Sequence, residues 1–244
     1  MLFDFFFKPK APQKLPFATD IHCHVVPGVD DGSPDAETSV ELLSHMADWG
    51  FERIFASPHS TADHFENTPQ TIAGPFARLR EAAAGAGLQL GLEHHFEYRV
   101  DQFFIEQLKN NNIKPLPDDF ILIENGFDQE PWGLENIIFE LLSKGYRPIM
   151  AHPERYRYYR HNISRYAELH DKGLLFQINL LSLAGHYKGG ERDVALRLLK
   201  QGMVSFIGTD VHHMGHVESI ERYMHSSAFG KDIKLFDNLL NDSI

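Results

Sequence analysis

The stretch DIHCHVVPGVDDG, which runs from Asp20 to Gly32, concentrates groups that could do chemistry. Its two histidines, His22 and His24, flank Cys23, so the cysteine could be a nucleophile beside its base. The histidines could instead be metal ligands, because residues two apart on a β-strand project from the same face. In that case Cys23 points to the opposite face. The two interpretations predict different enzymes.

Cys23 fits poorly as a nucleophile. Cysteine-dependent tyrosine phosphatases place an Arg six residues after the Cys, around a loop that holds the phosphate, and here that position is Val29. A small buried hydrophobic residue is the ordinary role of a free Cys. We therefore favour a metal site. Imidazole and carboxylate ligands suit zinc, manganese or iron better than calcium or magnesium.

Apolar, β-branched segments alternate with amphipathic helical segments along the chain, which predicts an α/β fold with a parallel sheet of roughly seven strands. The predicted strands include RIFASPH (53–59), FILIE (120–124) and MVSFIGTDVH (203–212). We expect a closed barrel, because polar residues end one strand after another and no G-x-G-x-x-G motif follows the first strand. Ser33 and Pro34 have the residue types of an N-cap and first residue for the first helix.

Nearly every predicted strand ends in a potential metal ligand. The active site of such a barrel lies at the carboxyl ends of its strands, so residues distant in sequence should converge there. Each residue alone has an ordinary explanation as a turn, a strand end or a helix cap, but that explanation is weak for the whole set. The candidate ligands are His22, His24, Asp30, Asp31, His59, Glu97, Glu124, His152, Asp210 and His212.

The bulk properties exclude several classes of protein. The chain has 244 residues, one cysteine and a formal net charge of −11, which disfavours nucleic-acid binding. No apolar run approaches the ~20 residues of a membrane span. One cysteine cannot form an intramolecular disulfide, so we expect a cytoplasmic protein. We expect residues 1–16 to be an extended arm, whose Phe5–Phe7 could dock on the body, and residues 17–244 to be one domain.

With these residues in hand, the chain resembles a PHP-superfamily phosphoesterase of the CpsB/CapC type, the bacterial protein-tyrosine phosphatases of capsule and exopolysaccharide synthesis. The resemblance covers about residues 17–226. Six blocks carry it, in the family order: TDIHCHVVPGVDDG, ASPH, FEYRVD, ILIE, GYRPIMAHPERY and GTDVHH. It implies a distorted TIM-like (β/α)7 barrel with a three-metal centre of divalent ions, usually manganese, with iron or zinc as alternatives.

The resemblance distributes nine ligands over the three metals. The sets are His22, His24, Glu97 and Asp210 for the first metal; Glu97, Glu124 and His152 for the second; and Asp31, His59 and His212 for the third. Asp31 matches the family better than Asp30, because it directly precedes the glycine. The chain departs from many relatives at Ser60, where they have a second His, and at Val217, where they often have an Arg.

The resemblance also implies a reaction, in which metal-bound hydroxide attacks the phosphorus of phosphotyrosine on a bacterial tyrosine autokinase. Arg155 is the candidate phosphate clamp, because a guanidinium matches phosphate oxygens, and a surface salt bridge is its alternative role. Tyrosine phenolate has a conjugate-acid pKa of ~10 and needs little help from an acid. His212 or Asp31 could give that help, and the sequence does not decide between them.

Four other interpretations compete with this one. A histidinol-phosphatase-like enzyme would share nearly the same ligands and act on a small phosphate ester. An amidohydrolase often has a Lys on the fourth strand, where this chain has Glu124. A nuclease is disfavoured by the acidic charge. A regulatory barrel without catalysis is disfavoured because all nine ligand positions are filled.

Overall fold

The structure, a computed structural model, describes residues 14–244. Most of the predicted arm, including Phe5–Phe7, lies outside the described residues. Of its last three residues, Leu15 is buried and its N–H donates to the carbonyl oxygen of Trp49 at 2.9 Å. The packed body therefore extends back at least to Leu15.

Strands and helices alternate through residues 14–244, as the sequence predicts. The strands are β1 (Thr19–Asp20), β2 (Arg53–Ala56), β3 (His59–Ser60), β4 (Gly91–His94), β5 (Glu97–Arg99), β6 (Phe120–Glu124), β7 (Arg147–Ala151), β8 (Leu175–Asn179) and β9 (Val204–Gly208). The α-helices are α1 (Ala36–Asp48), α2 (Pro69–Gly85), α3 (Gln102–Lys109), α4 (Leu134–Ser143), α5 (Ile163–Asp171), α6 (Leu180–Leu183), α7 (Glu191–Lys200), α8 (Met214–Met224) and α9 (Phe229–Asp232). Among the described helices, none has both the length and the apolar composition needed to cross a membrane.

Every pairing between these strands is parallel. The orders are β1-β2-β4 in one sheet and β3-β5-β6-β7-β8-β9 in the other. Only residues 57–58 separate β2 from β3, and only residues 95–96 separate β4 from β5. Pro58 has no N–H for a ladder, which helps to explain the first interruption. The two sheets are therefore consecutive parts of seven strand paths, in agreement with the predicted α/β fold.

The first and last strand paths meet only at their ends. An isolated parallel bridge joins Cys23 to Val211. Around it, the N–H of Asp210 donates to the carbonyl oxygen of His22 at 2.7 Å, and the N–H of His24 donates to that of Val211 at 2.9 Å. Among residues 14–244, no continuous ladder closes the barrel. This short contact still brings the ends of β1 and β9 together, where two groups of candidate ligands begin.

The hydrophobic core has two parts. The larger part fills the space between the strands and the surrounding helices and contains Cys23. The smaller part lies between the strands of the two sheets, and its members include Ile21, Phe55, Phe120, Leu122, Ile149, Ala151 and Phe206. We call this smaller part the inner cluster. The rings of Phe120 and Phe206 meet edge to face within it, with centroids 5.3 Å apart.

The start of α1 differs from the prediction. Asp35, and not Ser33, is the N-cap, because its side chain accepts the N–H of Thr38 at 2.8 Å. The Ser33 hydroxyl instead donates to the carbonyl oxygen of Asp35 at 2.9 Å. A Ser two residues before an Asp offers two plausible caps, and the longer acceptor side chain reaches the free N–H group here.

Candidate metal centre

The structure brings the nine predicted ligands into one cluster at the carboxyl ends of the strands. Their candidate ligand atoms form four overlapping groups, and within each group all atoms lie within 4.8 Å of one another. The groups are His24, Asp31, His59 and His212; His22, Glu97 and His152; His22, His24 and Asp210; and His59, Glu97 and Glu124. Glu97 therefore belongs to two groups, as expected for a bridging carboxylate.

The two histidines of the first motif point their Nε2 atoms at each other, 3.3 Å apart. The Nδ1 atom of His22 lies 2.7 Å from the Oε1 acceptor of Gln177, and that of His24 lies 2.8 Å from an Asp30 carboxylate oxygen. Each Nδ1 donates its proton in these hydrogen bonds, so Nε2 is the atom of each ring whose lone pair can bind a cation. Two lone pairs directed at one point suit a cation. Cys23 packs away from them in the larger core.

Two carboxylates surround this pair of imidazoles. Asp210 places Oδ1 at 3.4 Å from the Nε2 of His22 and at 3.5 Å from that of His24. Glu97 places one oxygen 3.4 Å from each ring. Burial acts to lower the pKa of His22, but Glu97 and Asp210 outweigh it and raise that pKa to about 9. The cluster is thus strongly attractive to positive charge.

The second set gathers around Glu97. The Nε2 of His152 lies 2.9 Å from Glu97 Oε1 and 3.5 Å from Glu124 Oε1. Burial raises the pKa of Glu124 to about 7, with the charge of Glu97 as the next cause. Glu97 itself keeps its charge, because the nearby His22 and His59 outweigh burial and hold its pKa well below the usual range.

The third set includes Asp31 but not the neighbouring Asp30. Asp31 Oδ1 lies 3.4 Å from His59 Nε2 and 3.6 Å from His212 Nε2. Asp30 turns the other way, so that Oδ2 accepts from His24 Nδ1 and from the N–H of His59, and Oδ1 accepts from the N–H of Gly32. The geometry thus favours Asp31 as a ligand and Asp30 as the residue that orients His24.

The backbone is strained at two of the candidate ligands. His152, directly after β7, has φ of 32°, and Asp210, two residues after β9, has φ of 53°. Both values lie in the left-handed region, which typically costs a non-glycine residue about 1–3 kcal/mol. Each turn redirects a side chain at the strand end toward the cluster. Gly208 allows the close approach here, since a Cβ at that position would lie 2.7 Å from the Cβ of His22.

A buried hydrogen-bond network orients the candidate ligands His22 and Asp210 on the side away from the other ligands. Gln177 donates from Nε2 to Asn179 Oδ1 at 2.9 Å, and Asn179 donates from Nδ2 to Asp210 Oδ2 at 2.6 Å. Tyr187 also donates to Asp210 Oδ2, at 3.3 Å. These bonds occupy one oxygen of Asp210 and leave Oδ1 facing the histidines. Such outer partners typically fix the orientation of metal ligands.

An unpaired buried atom fits the same interpretation. Among the described residues, Glu97 Oε2 is one of the buried atoms that make no hydrogen bond. His59 Nδ1 lies only 3.0 Å from Glu97 Oε2, so the contact is close but lacks hydrogen-bond geometry. A buried polar atom without a partner is costly, and a bound cation would remove the cost for Glu97. The donor set therefore fits divalent metals.

Arg155 and several rim residues complete the cavity, whose volume is about 460 Å³. Arg155 lines it and places Nη1 3.1 Å from Asp210 Oδ2, so it combines a salt bridge with access to the cavity. The sequence did not single out Arg99, which pairs with Glu124 at 3.1 Å, or Phe127, whose ring lies near the guanidinium groups of both Arg99 and Arg155. The block FEYRVD contains Arg99, but its spacing gave no reason to separate Arg99 from a surface cation.

The fold and the site together define a class: a parallel α/β protein with a cluster of candidate His and carboxylate metal ligands at its strand ends. Residues 18–225 match the family described as "Capsular polysaccharide synthesis, CpsB/CapC". The chain belongs to this family, which confirms the resemblance drawn from the six sequence blocks.

Individual relatives agree with this placement. The tyrosine-protein phosphatase YwqE of Bacillus subtilis is 32% identical over 196 residues, which are 80% of this chain and 77% of YwqE. The tyrosine-protein phosphatase CpsB of Streptococcus pneumoniae is 30% identical and covers 80% of this chain and 83% of its own. A crystal structure from work on these two proteins, described as unique metal-dependent tyrosine phosphatases, has a TM-score of 0.76 at 29% identity and covers 90% of this chain and 94% of its own.

Proposed function

We propose that this chain is a metal-dependent protein-tyrosine phosphatase that hydrolyses phosphotyrosine on a bacterial tyrosine kinase and thereby regulates capsular or exopolysaccharide synthesis. The observation that carries the proposal is the convergence of five histidines and four carboxylates in one cluster, seven of which line the same cavity. The relatives named tyrosine-protein phosphatase support phosphotyrosine as the substrate. A cytoplasmic location remains a prediction.

The proposed cofactor is three divalent metal ions, manganese in the first place, with iron or zinc as alternatives. The proposed ligands are His22, His24, Asp31, His59, Glu97, Glu124, His152, Asp210 and His212. When bound, the metals would offset the charge of the phosphate oxygens and activate a water molecule for attack on phosphorus. Four carboxylates would leave such a centre with net positive charge, which suits a phosphate dianion.

Arg155 is the proposed phosphate clamp of this chain. Its guanidinium is fixed by Asp210 and stacks over the rings of Phe127, with the carbon 4.8 Å from the centroid, and Tyr187, at 4.5 Å. Arg155 also lines the cavity into which the phosphate would enter. Arg99 adds a second cation on the same rim. Because Val217 stands where relatives often have an Arg, the two rim arginines would carry the recognition of phosphate.

The aromatic side chains at the mouth favour an aryl phosphate over a small alkyl ester. Phe65, Phe127 and Tyr187 all line the cavity, so a phenyl ring entering it would meet apolar faces. The phenolate leaving group needs little protonation. His212 and Asp31, which face each other at 3.6 Å, are the proposed groups that could hand a proton to it.

A comparison of substrates tests this proposal against the histidinol-phosphatase-like alternative. The chain, purified and supplied with manganese, is assayed on a phosphotyrosine peptide and on histidinol phosphate. We expect kcat/KM to be at least about 100-fold higher for the peptide, because the site offers specific contacts to an aryl group. A preference for histidinol phosphate would favour the alternative. Absence of turnover with manganese, iron and zinc would contradict both.

A further inference from the structure

A second cavity, of about 500 Å³, lies beside the metal centre between the segment after α6 and the helix α8. We call it the basic pocket, because cationic and hydroxyl side chains dominate its polar lining. These side chains are His186, Lys188, Arg192, Ser219, Arg222, Tyr223 and Ser226. Among the described residues that line it there is no Asp or Glu, although the chain carries a formal net charge of −11.

Two cations of the basic pocket lack a compensating carboxylate. Arg192 is held in place, since it pairs with Asp232 at 2.7 Å and donates to the carbonyl oxygen of Leu183. Lys188 and Arg222, in contrast, form no salt bridge within residues 14–244, and both are exposed. An acidic protein that gathers unpaired cations around a cavity offers a site of focused positive potential.

His186 lies inside the pocket. Burial lowers its pKa, and the charges of Arg155, Lys188 and Arg222 act in the same direction. Its Nδ1 lies 3.0 Å from the Ser219 hydroxyl oxygen, so this edge of the ring is already held in place. The neutral ring and the hydroxyl add polar contacts beside the two free cations.

The basic pocket and the metal centre share a wall. The ring of His186 packs against that of His216 with centroids 4.9 Å apart, and His216 lines the metal cavity. His216 in turn lies 5.4 Å from the ring of His212, one of the proposed ligands. The chain also passes directly from Tyr187, at the metal cavity, to Lys188, at the basic pocket. An extended ligand could therefore reach both cavities.

We propose that the basic pocket binds a second phosphate group on the same polypeptide whose phosphotyrosine enters the metal centre. This inference rests on the proposed function and narrows its substrate class to multiply phosphorylated segments. Lys188 and Arg222 supply charge-assisted donors, and a phosphate dianion has enough acceptor oxygens to use several of them at once. An extended peptide advances about 3.5 Å per residue, so phosphotyrosines two to four residues apart would span roughly 7–14 Å.

The test compares three substrates on three proteins. The substrates are a doubly phosphorylated peptide, the same peptide with one phosphotyrosine replaced by tyrosine, and p-nitrophenyl phosphate. The proteins are the unmodified chain, the double variant Lys188→Gln with Arg222→Gln, and a control with Lys144→Gln and Lys200→Gln, which removes the same charge from exposed positions outside the pocket. Each assay is repeated with inorganic phosphate added below its inhibitory concentration.

We expect the unmodified chain and the control to prefer the doubly phosphorylated peptide about 10-fold in kcat/KM, mainly through KM, as the loss of one to two charge-assisted contacts would predict. The pocket variant should lose this preference and keep its turnover of p-nitrophenyl phosphate. Equal kcat/KM for both peptides, or an unchanged preference in the variant, would overturn the inference. If added phosphate changes p-nitrophenyl phosphate turnover only when the pocket is intact, and the two peptides have equal kcat/KM, free phosphate is the occupant and the inference is also overturned. If the unmodified chain turns over no phosphotyrosine substrate, the proposed function itself fails.

Discussion

Two residues of the same strand, Leu122 and Glu124, show how differently the inner cluster and the ligand cluster at the strand ends are built. Both lie on β6, two positions apart and therefore on the same face, and both are buried. Leu122 packs in the inner cluster with Phe120 and Ile149. Glu124 is a buried acid that faces Glu97, His152 and Arg99.

The difference separates what stabilises this fold from what the fold is used for. The inner cluster removes apolar surface from water and needs no partner outside the chain. A few ångströms further along the same strands, buried carboxylates lie close together, histidines face one another, and His152 and Asp210 hold strained backbone angles. Such an arrangement costs stability unless a cation completes it. Substitutions in the inner cluster should therefore lower stability more than activity, and substitutions of the candidate ligands should lower activity more than stability.

The largest effect is expected from Glu124→Gln. The amide keeps the size of the side chain but removes the charge that would hold a metal, so kcat/KM on a phosphotyrosine peptide should fall at least about 1,000-fold, or ~4 kcal/mol. The melting temperature of the metal-free protein should hold or rise, because one buried carboxylate is gone. Glu93→Gln, on an exposed part of β4, is the matched control. Near-normal turnover in Glu124→Gln would remove this residue from the site.

Leu122→Ala should give the reverse pattern. Removing a fully buried Leu from a packed cluster typically costs about 3 kcal/mol of unfolding free energy. Chemical denaturation measures this loss, and the kcat of the protein that remains folded should stay within about two-fold. Leu142→Ala, on the exposed side of α4, should cost much less. A stable Leu122→Ala variant with low activity would contradict the separate roles of the inner cluster in stability and of the ligand cluster in activity.

Gln177→Met tests the network behind the ligands. The substitution keeps the volume but deletes the acceptor for His22 Nδ1, so we expect metal affinity to fall about 10–100-fold, as for other outer partners of metal ligands. Titration with manganese measures the affinity, and the exposed Gln201→Met variant is the control. A similar affinity in both variants would show that Gln177 has only a packing role.

The smallest effect is expected at the rim. Phe127→Leu removes an aromatic face from the cavity mouth, and KM for an aryl phosphate should rise about five-fold, or ~1 kcal/mol, with kcat little changed. Turnover of a simple alkyl phosphate should not respond. Phe139→Leu, on the exposed surface of α4, provides the comparison. Equal changes for aryl and alkyl esters would contradict a role for Phe127 in recognising the ring.

The sequence was sufficient for the parts of the molecule that follow from strand geometry. Because parallel strands end at the same edge, His59, Glu124 and His152 could be placed together from their positions after apolar segments. Likewise, the i, i+2 spacing of His22 and His24 was enough to separate them from Cys23.

Other features depend on contacts that no spacing encodes. Whether Asp30 or Asp31 faces the cluster is decided by the turn that lets Asp30 accept from His24 and Gly32. Gln177 sits inside an apolar strand, where a buried polar residue has many possible partners. Arg99 and Phe127 come together only through the packing of the rim.

The interruption between β2 and β3 could have been predicted from Pro58, which cannot donate to a ladder.

Metal content measured alongside turnover tests the central claim most directly. The chain is purified without chelators, analysed for manganese, iron and zinc by elemental analysis, and assayed on a phosphotyrosine peptide, together with Asp210→Asn. We predict about three divalent ions per chain in the unmodified protein, in line with a multinuclear phosphatase site. Asp210→Asn should bind fewer ions and lose turnover by orders of magnitude. A protein that holds no metal and gains no activity when manganese is added would contradict the account.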